Sequence, residues 1–187
     1  ALGASSPTSF DVGAYSFSNA IANLDFSRSF GIVSVAFGAE YKDERFNSFA
    51  GESASYFADG VQSFPGLQPA NAIRADRNNY GVYLDLEVEA TEKLLLGGAV
   101  RYEDFSDFGD NTSWKVNGRY ILGDNQGAIR ASYSTGFRAP SLHQIYLSNI
   151  QTLVSGGTIS NQGTFNNVDP VIREGLGVPQ LTAEEST

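Results

Sequence analysis

The stretch NYGVYLDLEVEATEKLLLGGAVRYEDF, residues 79–105, alternates apolar and polar side chains over most of its length. In residues 79–89 the even positions are all apolar, and the odd positions are mostly polar or charged. In residues 93–105 the even positions are again mostly apolar. Alternation with a period of two predicts a β-strand with one apolar and one polar face. The stretch therefore predicts two antiparallel strands joined by the short turn 90–92.

The same period occurs in residues 31–47, 113–122 and 128–134, and a shorter instance of it lies in residues 24–27. Residues 10–17 have no clear period, and no stretch predicts a helix of useful length. The fold class predicted is all-β: about six or seven antiparallel meander strands within one segment, residues 1–187.

Composition excludes several classes of function. The chain has 187 residues, 12 Lys and Arg against 21 Asp and Glu, and a net charge of -9. Without a run of basic residues, a nucleic-acid partner is not expected. The absence of Cys rules out disulfides and thiolate sites, and a single His rules out a multi-His metal centre within this chain.

Two features favour a membrane barrel over a soluble sandwich. The predicted strands run for about 10 residues or more, whereas an ordinary strand has about 5–6 and a tilted membrane strand about 9–11. The apolar faces also carry rings near their ends, as the interfacial belts of outer-membrane barrels do. These rings are Tyr41, Tyr80, Tyr102, Trp114, Tyr120 and Tyr133.

Loop lengths alternate in the manner of such barrels. The turns 90–92 and 123–127 are short and are predicted to be periplasmic. The medium link 106–112 and the two long loops, approximately 48–77 and 136–182, are predicted to be extracellular. Recognition is expected on the two long loops, because loops on a rigid scaffold carry most binding residues.

The charged face of the sheet is predicted to line a wet lumen. Its register is predicted to set Glu89 opposite Lys93 and Glu103 opposite Lys115. After residues 113–122 the inward positions change from odd to even, which requires an even-numbered loop or a bulge. The predicted lumen-facing residues are Asp85, Glu87, Glu89, Arg101, Glu103, Lys115, Arg119 and Arg130.

Four stretches, in order, resemble the barrel of TonB-dependent outer-membrane receptors. The most specific is ASYSTGFRAPSL, residues 131–142, which is similar to the family's strand that reaches the outer surface. AFGAEYK at 36–42, AVRYEDFSDFG at 99–109 and LTAEEST at 181–187 also resemble family segments. By this resemblance a structural rim is formed by Gly136, Phe137, Arg138, Ala139, Pro140 and Ser141.

The resemblance implies a fragment of a receptor in the outer membrane of a Gram-negative bacterium. Such a receptor binds a scarce extracellular solute, of the siderophore, cobalamin or carbohydrate class, and imports it with energy from TonB. The implied partners are outer-membrane lipid, the small solute, and TonB through a plug region that this stretch does not contain. Only six or seven of the family's roughly 22 strands are present.

No catalytic, cofactor or metal site is predicted, and the chain is not expected to be an enzyme. The acidic cluster 103–111 lacks the spacing of a calcium loop, and its residues are common turn formers. His143 is expected to be a solvated loop residue, and Arg138 to pair with a carboxylate of a neighbouring loop. Two alternative functions remain at this point: a self-folding structural or adhesive surface domain, and a passive porin-type channel.

Overall fold

A computed structural model describes residues 5, 7–57, 65–123 and 126–187 of the chain. Its main element is a six-stranded sheet in which every strand neighbours the next one in sequence. The antiparallel meander that the alternation predicts is confirmed. The strands are β1 (Ala14–Phe30), β2 (Val33–Phe49), β3 (Ile73–Thr91), β4 (Leu94–Phe105), β5 (Gly109–Leu122) and β6 (Gly127–Ser134).

Smaller elements occupy the remainder. A short strand β7 (Gly136–Arg138) precedes the helix α1 (Leu142–Tyr146), and β8 (Ile150–Ser155) pairs with β9 (Thr158–Gly163). The last strand, β10 (Glu184–Ser186), pairs antiparallel with β7. The described residues also include the 3-10 turns Ser53–Ser55 and Pro69–Asn71 and a π-helical turn, Val171–Gly175. Within the described ranges, none of the helices has the length and apolarity needed to cross a membrane.

The chain divides into two compact units. The first unit comprises residues 1–18, 44–76 and 140–182, and the second comprises residues 19–43, 77–139 and 183–187.

The second unit exposes apolar side chains along one face of its sheet. Leu84 is paired with Val100 and Val100 with Trp114, and all three are more than a third exposed. Two residues further along the strands, Leu86 and Val116 lie on either side of Gly98. Because glycine has no side chain, a shallow apolar depression of about 460 Å³ is left there. A water-exposed surface of this kind marks a contact with lipid or with another apolar partner.

Two register predictions are wrong. Glu89 pairs with Leu95 rather than with Lys93, because the pairing shifts between Glu89 and Thr91. Glu103 pairs with Asn111, and Lys115 pairs with Ala99. The second error arises because β5 begins at Gly109, so the connection is a three-residue turn, 106–108, rather than the predicted link 106–112. The even-numbered connection after β5 is confirmed, since Leu122 pairs with Gly127 across four residues.

The first unit has a small core of its own around Phe46, which is fully buried. The ring of Tyr15 stacks on it at 6.2 Å, and that of His143 lies 4.6 Å away. Leu142 and Ile145, one turn apart on α1, are also buried. The expectation of a solvated loop histidine is therefore wrong: His143 is half-buried on α1, because the helix places it against aromatic rings.

Candidate functional site

The polar face of the second unit gathers the charged residues that alternation predicts to lie together. Asp85 pairs with Ala99, and Ala99 with Lys115, so the three residues point to one side of the sheet. The same register places the other six predicted residues on that side. They are Glu87, Glu89, Arg101, Glu103, Arg119 and Arg130.

One tyrosine crosses a neighbouring strand on this face. The Tyr83 hydroxyl on β3 donates a hydrogen bond of 2.7 Å to Oδ1 of Asp25 on β1. Its ring passes over Gly38 of β2, where an added Cβ would lie 2.6 Å from Tyr83 Cε1 and 2.5 Å from Asp25 Oδ1. Glycine at position 38 is what allows the ring to lie against the sheet.

An arginine repeats this arrangement one strand further along. The Arg101 Nη2 atom on β4 donates to Glu40 of β2 at 3.1 Å and to Glu103 at 3.0 Å. The guanidinium lies over Gly81 of β3, where a Cβ would approach Nη2 to 2.8 Å. Both carboxylates are partly exposed, so this network orients side chains on the polar face more than it stabilises the fold.

Sequence reasoning missed these crossing contacts. The alternation places Tyr83 and Arg101 on the polar face, but it does not identify their partners on other strands. The sequence does contain a signal for these crossing contacts, since Gly38, Gly81 and Gly97 all occur on the polar side of the alternation. A glycine inside a strand marks a place where another group approaches closely. At Gly97 that group is the amide of Asn117, 2.8 Å from an added Cβ.

The turn 106–108 is held by a buried ion pair. Arg77 of β3 is only 3% exposed, and its Nε and Nη2 atoms each donate to the Asp107 carboxylate at 2.8 Å. Its guanidinium also lies within 6 Å of the ring centres of Phe105 and Phe108. Asp107, part of the acidic cluster 103–111, is therefore a partner for arginine. In the described part of the chain, no three acidic, His or Cys side chains are grouped to hold a metal.

The predicted rim residues end one strand and begin a helix. Gly136, Phe137 and Arg138 form β7, opposite Ser186, Glu185 and Glu184. Arg138 reaches Glu184 at 3.5 Å, and both side chains are about two-thirds exposed. After Pro140, which lacks the N–H that a strand ladder needs, Ser141 caps α1: its Oγ accepts from the Gln144 N–H, and its own N–H donates to Gln144 Oε1 at 2.8 Å.

The two long segments predicted to carry recognition contact each other within the first unit. The Asn71 amide donates to Ser148 Oγ at 3.1 Å, and both side chains are buried. Gly51 N–H also donates to the Leu67 carbonyl at 2.9 Å, which closes part of the first segment. The portion 58–64 of that segment lies outside the described residues.

The sequence matches the family model described as "TonB dependent receptor-like, beta-barrel" over residues 3–187. The chain belongs to this family. The resemblance read from residues 131–142 and the three shorter stretches is thus confirmed. The prediction that the chain is not an enzyme agrees with membership of a family of TonB-dependent receptor barrels.

A curated relative is the ferric enterobactin receptor PirA of Pseudomonas aeruginosa. It is 29% identical over 110 residues, which are 57% of this chain and 14% of the relative.

Solved structures of TonB-dependent receptors share the fold. The siderophore receptor PirA from Acinetobacter baumannii matches with a TM-score of 0.54 and 14% identity, over 91% of this chain and 23% of that one. A variant of the ferric enterobactin receptor PfeA from Pseudomonas aeruginosa matches with a TM-score of 0.57 and 13% identity, over 73% and 20%. The chain therefore spans less than a quarter of the receptors it resembles.

Proposed function

We propose that this chain is part of the barrel wall of an outer-membrane receptor that binds and imports a ferric siderophore with energy from TonB. The observation that carries the proposal is the family match over residues 3–187, together with a sheet that is apolar on one face and charged on the other. Family membership favours this function over the adhesive domain and the passive channel.

The apolar face is assigned to lipid. Val82, Leu84 and Leu86 occupy alternate positions on one face of β3 and are 51%, 40% and 41% exposed. In water such a face would associate with other apolar surfaces. In a bilayer it faces acyl chains, while the antiparallel ladder satisfies the backbone. With this face in contact with lipid, the proposed location of the protein is the outer membrane of a Gram-negative bacterium.

The charged face is assigned to the interior. The eight residues predicted to face the lumen, which include the crossing Arg101, would line the passage together with Tyr83. Charged side chains are tolerated there because the interior of such a barrel is polar and hydrated.

The long segments 48–77 and 136–182 are assigned to the extracellular side and to solute contact. Their support is the local order of the first unit, where Asn71 and Ser148 join the two segments. Arg138 is assigned to the rim, paired with Glu184. A siderophore is preferred to cobalamin or a carbohydrate, because the relatives named above are described as ferric enterobactin or siderophore receptors.

Uptake in cells tests the proposal. A strain lacking the full-length receptor is complemented with it and supplied with radiolabelled iron as ferric enterobactin, under iron limitation. We expect uptake to return, and to be lost when the same strain also lacks TonB. Radiolabelled cobalamin and maltodextrin serve as solutes of the two other classes.

Each failure has a separate meaning. Uptake that persists without TonB would show that the protein is a passive channel and not an active receptor. Uptake of cobalamin or maltodextrin, but of no ferric siderophore, would retain the receptor and overturn the solute class. A correctly folded receptor that imports none of the solutes would contradict the transport function.

A further inference from the structure

Two arginines of the first unit share a surface depression of about 600 Å³. They are Arg45 of β2 and Arg74 of β3, and both are exposed. Ser18, Asn47 and Phe49 also line the depression, and none of its described lining residues is an Asp or a Glu. Two guanidinium groups beside a hydroxyl and an amide are suited to an anion that carries several oxygens.

The strand period places both arginines on the side of the sheet that is assigned to lipid. On β2, Arg45 lies four residues after Tyr41. On β3, Arg74 lies six residues before Tyr80, which alternates with the exposed Val82. An even spacing along a strand keeps side chains on one face. The arginines therefore leave their strands on the apolar side and not on the charged side.

Tyr41 and Tyr80 mark the level at which these strands leave the hydrocarbon. Their rings lie 5.9 Å apart, and a tyrosine on an outward face rests at headgroup depth. At about 3.4 Å per residue, the two arginines follow about 14 and 20 Å further along strands that are tilted in a barrel. A long arginine side chain can extend back along the surface with its charged end in the polar layer. Both guanidinium groups can therefore reach lipid phosphates.

We propose that Arg45 and Arg74 bind the phosphate-bearing headgroup of a lipid in the outer leaflet of the membrane. Guanidinium groups bind phosphate oxygens through parallel hydrogen bonds. Asn47 and Ser18 supply further donors, and Phe49, which is 53% exposed, offers an apolar edge to the lipid. The inference rests on the proposed function in one respect, that the apolar face contacts lipid.

A lipid fits this position better than a dissolved anion does. The chain has a net charge of -9, which disfavours the approach of free anions. A dissolved phosphate would also lose its translational freedom on binding. A lipid headgroup is already held at the protein surface by its acyl chains, so its effective concentration beside the arginines is high.

Two carboxylates lie on the membrane side of the arginines. Asp43 precedes Arg45 by two residues on β2, and Asp76 follows Arg74 by two residues on β3. Neither carboxylate lines the depression. A guanidinium has five N–H donors, so it can bind a carboxylate and a phosphate at the same time. Because a nearby carboxylate repels phosphate, Asp76→Asn is expected to strengthen the binding of a phosphorylated lipid.

Native mass spectrometry of the full-length receptor in detergent micelles tests the site. The receptor is titrated with lipid A, a glycolipid that carries phosphate groups, and with the same lipid after its phosphates have been removed. We expect the wild-type receptor to bind the phosphorylated lipid more tightly. In Arg45→Gln/Arg74→Gln that affinity should fall about tenfold, as the loss of one charge-assisted contact predicts. The affinity for the dephosphorylated lipid should stay the same.

Arg138→Gln/Arg173→Gln is the matched control, because it removes the same net charge from two arginines outside the depression. It should bind the phosphorylated lipid as the wild type does, and an equal loss in both double variants would overturn the proposal. So would an unchanged affinity in folded Arg45→Gln/Arg74→Gln. A failure of Asp76→Asn to bind more tightly would contradict the attraction to phosphate.

Inorganic phosphate separates a lipid ligand from a dissolved one. We expect an excess of it to displace little of the bound lipid A. A receptor that binds inorganic phosphate through the two arginines, but does not prefer the phosphorylated lipid, would overturn the assignment to lipid. Folding of each variant is checked by its heat-dependent mobility on gels. No readout involves a transported solute, so failure of this site and failure of transport are distinguishable.

Discussion

At the scale of single residues, glycine decides which side chains meet on the polar face. Gly38→Ala would place a Cβ 2.8 Å from the Leu24 carbonyl oxygen and 2.6 Å from the Tyr83 ring. The backbone cannot move away easily, so we expect a loss of about 1–3 kcal/mol in the free energy of unfolding. Urea unfolding of the full-length receptor folded into lipid vesicles measures it.

Gly98→Ala provides the control for that prediction. The nearest atom to an added Cβ at Gly98 is a backbone oxygen 3.8 Å away, on the apolar face. This substitution should leave stability unchanged or increase it slightly. Equal losses in the two variants would show that the Tyr83 ring does not occupy the space above Gly38.

At the scale of elements, the buried ion pair is expected to hold the turn between β4 and β5. Asp107→Asn leaves the Arg77 guanidinium buried beside a neutral amide. We expect it to destabilise the fold by about 3 kcal/mol, at the low end for a broken buried pair, because Asp107 is 23% exposed. Arg138→Gln, which breaks the exposed pair with Glu184, should change stability by less than about 1 kcal/mol. Urea unfolding compares the two variants, and similar losses would contradict a special role for the turn.

The sequence predicted the strands and their faces, because a period of two is visible within each segment. It did not predict which residues pair across strands, because the register depends on where each turn closes. The turn 106–108 is fixed by Arg77, which is 30 residues from Asp107. Likewise Tyr83 meets Asp25 across 58 residues. Contacts at such separations leave no pattern in the local sequence. The sequence therefore predicts which residues lie on the charged face, but not which side chains on that face contact one another.

The register between β4 and β5 can be checked directly, because the chain contains no cysteine. In the double variant Ala99→Cys/Lys115→Cys, the two cysteines occupy directly opposed positions. Opposed side chains on paired strands have Cβ atoms close enough for a disulfide after small adjustments. We expect this variant to form an intramolecular disulfide on oxidation, detected by mass spectrometry without reductant. Glu103→Cys/Lys115→Cys should form none, and a bond in that variant alone would restore the register expected from the longer link.

At the scale of the whole molecule, the two faces of the sheet require two different surroundings. A single arginine placed on either face of β3 separates them, because Leu84 and Asp85 are adjacent in sequence and lie on opposite faces. On a lipid-facing position near the bilayer centre, arginine destabilises a barrel by about 2–4 kcal/mol, whereas interior positions tolerate charge. Leu84→Arg should therefore lower folding into vesicles and the amount of receptor in the outer membrane. Asp85→Arg should be close to wild type in both measurements.

The same pair of variants distinguishes a membrane wall from a water-soluble sheet. In a soluble domain, Leu84 is already 40% exposed, and an arginine there would be harmless or would improve solubility. The chain would then behave as a monodisperse monomer in detergent-free buffer, and Leu84→Arg would fold at least as well as Asp85→Arg. That result would overturn the assignment of this face to lipid. The opposite order, with Leu84→Arg alone impaired, is expected because only the apolar face would lose its contact with acyl chains.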